Sequence, residues 1–74
     1  MIPVHLTALQ LHAKLSQHVD ARITATGERA ETITMHLVTT ARQPLPGWIT
    51  LYGDCLGQYR SITLRDNETV EVHQ

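Results

Sequence analysis

Five histidines (His5, His12, His18, His36 and His73) and one cysteine (Cys55) are the side chains of this 74-residue chain best suited to metal binding or nucleophilic chemistry. Zinc takes three or four ligands in tetrahedral geometry, usually delivered as short-spaced pairs. No His-x-x-x-His or Cys-x-x-Cys pair occurs, and His5 and His12 are seven positions apart, nearly two helical turns. His12 and His18 point in different directions around a helix. No metal site and no cofactor are therefore expected. His12 lies inside an apolar helical arc with Ser16 one turn on, so a neutral imidazole bonded to Ser16 or to backbone is its favoured role. Were that arc to meet a partner, the same imidazole would make the contact pH-sensitive.

Cys55 follows Asp54 between Gly53 and Gly57. A nucleophilic thiolate needs a nearby cation or a helix N-terminus, and the adjacent aspartate works against it. Cys55 reads as a small, half-buried loop residue. The carboxylates fall mostly at turns or at outward strand positions, where solvation explains them. The four glycines are dispersed and form no phosphate-cradling loop. No nucleophile, base and orienting group can be assembled, so no enzymatic activity is expected.

Trp, Tyr and Arg are the types enriched at binding hot spots, because they present large area with few rotamers to freeze. The strand patterns bring several together. Trp48–Tyr52 reads as one strand and Tyr59–Arg65 as the next. Setting Leu51 opposite Ile62 and Ile49 opposite Leu64 puts Trp48 beside Arg65, Thr50 beside Thr63 and Tyr52 beside Ser61, all away from the apolar side. Tyr59 ends the same row and Arg60 is close by. Trp48, Tyr52, Tyr59, Arg60 and Arg65 are thus the expected partner-binding residues. The alternative is that Trp48 covers the bottom of the sheet or packs under the helix, with Arg65 shielding it.

The elements that must hold this row begin with a helix. Thr7 and Gln10 form a capping-box pattern, and Leu6 and Leu11 take the positions of a hydrophobic staple. At about 100° per residue, Gln10, Gln17, Lys14, Thr7 and His18 share a polar arc. Ala8, Leu11, Leu15 and Val19 lie on one apolar flank and Leu6, Leu9 and Ala13 on the other. Such a wide arc predicts either a helix wedged between two surfaces or a flank that meets a partner. After Val19 the period becomes 2. Val19, Ala21, Ile23 and Ala25 face one way, and a second strand sets Ile33, Met35 and Leu37 against Thr32, Thr34, His36 and Val38. Pairing Ala25 with Ile33, Ile23 with Met35 and Ala21 with Leu37 keeps the apolar set together around a short loop at Glu28. Residues 41–47, with Pro44, Pro46 and Gly47, punctuate the chain, and residues 53–57 read as a loop. A last strand, Thr69–His73, is expected as a hairpin with the one before it, Leu64 opposite Val70 and Ile62 opposite Val72.

One helix followed by five short strands predicts an α+β fold. The helix packs on a five-stranded, strongly bent antiparallel sheet or a small, partly open barrel. This order resembles that of Sm-like and related SH3-type barrels, a likeness of layout without matching motif residues. Residues 1–74 make a single domain, too short to bury more than about 60% of its unfolded surface. A formal charge of -1 excludes a strongly basic phosphate-binding domain. No apolar run reaches the roughly 18 residues of a membrane span. The start, Met1–His5, has no leader pattern, and a lone cysteine suits a reducing compartment, so a cytoplasmic protein with no membrane role is expected. The function these features predict is a small, non-enzymatic regulatory or protein-interaction module, bound to a protein partner or to itself as an oligomer. Single-stranded RNA or DNA is the alternative partner, contacted through stacking aromatics and a patch from Arg42, Arg60 and Arg65.

Overall fold

The computed structural model describes residues 3–73; the expectation drawn from Met1 and Ile2 lies outside them. The chain runs β1 (Val4–Thr7), α1 (Ala8–Ala13), α2 (Leu15–His18), β2 (Arg22–Thr26), β3 (Thr32–Arg42), β4 (Trp48–Cys55), β5 (Gln58–Arg65) and β6 (Thr69–His73). It is a small α+β domain, with one antiparallel sheet in the order β1-β6-β2-β3-β4-β5 that does not close on itself.

Thr7 closes β1 and caps α1. Its hydroxyl accepts the Gln10 N–H at 3.1 Å, and Gln10 Oε1 accepts the Thr7 N–H at 2.9 Å, completing the expected capping box. The helix does not run on to Val19, however. Lys14, with φ −111° and ψ 29°, leaves helical space and divides it in two. The break rotates the second turn against the first, so one helical wheel through both misplaces its end. His18, expected on the polar arc, is buried at 6% exposure, whereas Val19 is 44% exposed. Val19 and Asp20 form a turn, and the strand expected from Val19 starts at Arg22. Ala8 and Leu11 enter the core, and Leu9 and Ala13 on the opposite flank stay exposed.

The β2–β3 and β4–β5 hairpins follow the apolar alternation. Ile23 faces Met35 and Ala25 faces Ile33. The ladder continues through Leu37, whose N–H donates to Ala21 O at 2.9 Å. All five expected β4–β5 pairs are present, from Trp48↔Arg65 to Tyr52↔Ser61. Ile23, Met35, Leu37, Ile49, Leu51 and Leu64 then bury their side chains on one face. The opposite face carries cross-strand threonine pairs: Thr24 with Thr34 at 2.9 Å, Thr26 with Thr32 at 3.1 Å, and Thr50 with Thr63 at 2.8 Å.

Three expectations change. Residues 53–57 are not a loop: β4 reaches Cys55, β5 starts at Gln58, and Leu56-Gly57 alone makes the turn, with φ of +52° and +81°. Cys55 therefore packs from a strand end against the core. Gly53 signals a turn in sequence but serves another purpose. A Cβ there would lie 2.5 Å from His36 O and 2.6 Å from Met35 Sδ, so the absent side chain lets β4 cross β3 closely.

The sheet also has six strands, because Val4–Thr7 pairs with β6 ahead of the helix. Finally, β6 does not form a hairpin with β5. It crosses to lie between β1 and β2, with Val70 opposite Leu6 and Val72 opposite Val4 and Ile23. Alternating valines fit any apolar strand face, so periodicity could not choose among them. The crossover gives β6 two ladders instead of one. It is anchored by the start of α1, where Ala8 N–H donates to Glu68 O and Leu9 N–H to Asp66 O, both at 2.9 Å.

Candidate protein-interaction face

The register of β4 on β5 decides which side chains share a face. Trp48, Thr50 and Tyr52 alternate with the buried Ile49 and Leu51, and they stand beside Arg65, Thr63 and Ser61. On this outer face the Arg65 guanidinium carbon lies 4.7 Å from the centroid of the Trp48 ring, a cation–π contact. Two pairs along, the rings of Tyr52 and Tyr59 stack with centroids 6.2 Å apart and planes 15° apart. Tyr59 is 66% exposed, while Trp48 and Tyr52 are partly buried. The indole is not sealed in the interior. Between the two aromatic pairs, the Thr50 hydroxyl bonds Thr63 and accepts from Gln43 Nε2.

Arg60, expected close by the row, is turned away from it. It pairs with Gly53 and shares the parity of Ile62 and Leu64, which places it on the opposite face. Arg42 pairs with Ile49 and has that parity too. The three arginines expected to form one positive patch are therefore split, with Arg65 alone beside the aromatics. The physical reason is the pleat: residues an odd number apart on one strand point to opposite sides.

The face gains residues that the sequence pattern did not single out. Pro44 and Leu45, from the β3–β4 loop, join Trp48, Thr63, Gln43 and Glu28 around a depression of about 390 Å³. Leu45 is 70% exposed, an apolar side chain displayed beside the indole. Punctuation by proline marks that segment as a loop but says nothing about which side of the sheet it folds over.

The histidines disperse. His12 Nδ1 bonds Thr40 Oγ1 at 2.6 Å rather than Ser16, which the break at Lys14 carries into α2. His5 and His73 each place Nε2 3.5 Å from the Glu71 carboxylate; the unexpected β1–β6 pairing brings His5 there, while His73 shares β6 with Glu71. Among the described residues no group of three His, Cys, Asp or Glu is placed to hold a metal ion. Compared with known proteins, the chain matches no family model, no curated protein and no solved structure at a significant level.

Proposed function

We propose that this chain is a non-enzymatic protein-interaction module that associates with a second copy of itself through β5 and the aromatic face beside it. The observation that carries this reading is the row Trp48–Arg65 and Tyr52–Tyr59, four hot-spot side chains held pairwise on one side of an edge hairpin. β5 is eight residues long, has a strand partner in β4 alone, and contains neither proline nor lysine to block its free edge. A two-fold pairing of β5 edges would set two aromatic rows side by side, and a formal charge of -1 offers little self-repulsion. Among the described residues no helix is long and apolar enough to cross a membrane.

The architecture belongs to the same proposal. With β1 set aside, the order β6-β2-β3-β4-β5 and the approach of β2 to β5 across the open side support a partly open small barrel of Sm-like or SH3-type layout. The stacked tyrosines favour a second reading, a single-stranded nucleic acid stacked on the same rings. The division of Arg42, Arg60 and Arg65 between two faces counts against it.

Light scattering over a concentration series tests the first reading. A dimer that dissociates on Tyr59→Ala or Trp48→Ala is expected, and a strict monomer removes the proposal. Salt-sensitive binding of a single-stranded oligonucleotide, weakened by Arg65→Ala, would transfer the face to nucleic acid.

A further inference from the structure

The ladder between β3 and β4 stops at His36↔Asp54, but β3 runs on, paired with β2, through Met35, Thr34, Ile33 and Thr32. Over those residues β3 has a strand on one side only. β4 ends at Cys55 and turns back into β5, leaving a cleft of about 650 Å³. That is within the roughly 300–1,000 Å³ of ligand-binding clefts. Unpaired strand backbone beside an apolar lining is the arrangement to which an extended peptide adds as a further strand.

The charges in the cleft are unbalanced. Arg22 lines it from β2 and Arg60 from β5, and among the described residues neither makes an ion pair. Arg60 reaches only the Gln58 amide oxygen, at 3.2 Å. The one carboxylate in the lining, Asp54, accepts the Gly57 N–H at 3.3 Å and so is engaged in the hairpin turn. His36 lines the cleft beside them.

Leu56 supplies a separate observation. It occupies a left-handed turn position, φ +52°, where asparagine, aspartate or glycine is favoured, and it is 98% exposed. Neither the backbone nor the core requires leucine there. A residue that breaks the local rule at the lip of a cleft points to a contact outside the fold.

The geometry points to a peptide-docking cleft: an extended acidic segment of a partner protein adds as a strand to the β3 edge at Thr32–Met35, with carboxylates on both of its faces, one toward Arg22 on the threonine side and one toward Arg60 on the other, and an apolar side chain on Leu56. A second copy of this chain fits poorly. Its own acidic strand residues, Asp54 and Glu71, lie in β4 and β6, each between two other strands, and its long free edge, β5, carries Arg60 and Arg65. Bidentate guanidinium–carboxylate pairing supplies the selectivity. The cleft is distinct from the Trp48 face, so either site can fail without the other.

The probe is a fluorescein-labelled peptide as long as β5, with adjacent glutamates that present a carboxylate on each strand face and valine at the other positions, titrated into the full chain. Saturable anisotropy is expected, with backbone amide NMR shifts centred on residues 32–36 and 56. The double variant Arg22→Ala/Arg60→Ala, at exposed positions, should weaken binding at least about tenfold. Methylating alternate peptide nitrogens should abolish it, because an added strand needs those donors. Leu56→Asn should bind more weakly while folding at least as well, a combination that a purely structural role for Leu56 does not produce. Absence of binding at millimolar peptide, equal binding of the lysine-for-glutamate peptide, or shifts confined to the Trp48 face each overturns the proposal. So does concentration-dependent shifting of the cleft amides without peptide, which would assign the cleft to a second copy.

Discussion

His12 Nδ1 and Thr40 Oγ1 stand 2.6 Å apart, joining α1 to the far half of β3 by a side-chain hydrogen bond. Thr40 is buried and His12 partly so. Thr40→Val keeps the shape and removes the partner of a partly buried imidazole nitrogen, at about 1 kcal/mol. His12→Ala should be comparable, and the double variant less than additive by about 1 kcal/mol. Urea denaturation of the four proteins measures this. Strict additivity would mean the bond contributes nothing.

The outer face should separate stability from binding. Tyr59→Ala, at an exposed ring, is expected to change stability by under about 0.5 kcal/mol while weakening self-association. Arg65→Ala removes the cation over the indole, at about 0.5–1 kcal/mol. Because Trp48 is the chain's single tryptophan, its emission should shift in that variant. An unchanged spectrum would show that the guanidinium does not sit on the ring in solution.

Substitutions at the two glycines and at Leu56 predict opposite signs. Gly53→Ala drives a Cβ against the His36 carbonyl, which as backbone cannot swing aside, and should destabilise by about 1–3 kcal/mol. Gly57→Ala meets open space, so only its φ of +81° resists, at about 1 kcal/mol. Leu56→Asn should stabilise by about 0.5–1 kcal/mol. Thermal melts resolve these differences, since 1 kcal/mol moves the midpoint of a domain this size by about 4–8 °C. A destabilised Leu56→Asn would contradict the exposed turn geometry.

Hydrogen exchange tests the crossover of β6. Lying between β1 and β2, it should have nearly all its amides protected, whereas β5, at the sheet edge of the dilute, dissociated chain, should show alternate fast and slow amides. A β5–β6 hairpin would leave β6 as the strand with alternating protection.

Local chemistry was enough to determine the capping box of Thr7 and Gln10, the facing of Ile23 with Met35, and the whole β4–β5 register with its Trp48–Arg65 neighbours. Each depends on residues close in sequence, where a one-residue slip would bury threonines and expose isoleucines. The tertiary structure alone decided which strand takes Val70 and Val72, that Val4–Thr7 is a strand, and that His18 turns inward after the break at Lys14. It also decided that β3 outlasts its partner to open a cleft, whereas the departure of Arg60 from the aromatic side follows from the alternation along Tyr59–Arg65 itself. Period-2 alternation states that a strand has an apolar side but is silent on its neighbours, because every apolar strand face presents the same pattern to a candidate partner. That choice is made by the number of ladders and the amount of apolar surface a given order buries at once, a property of the assembled sheet.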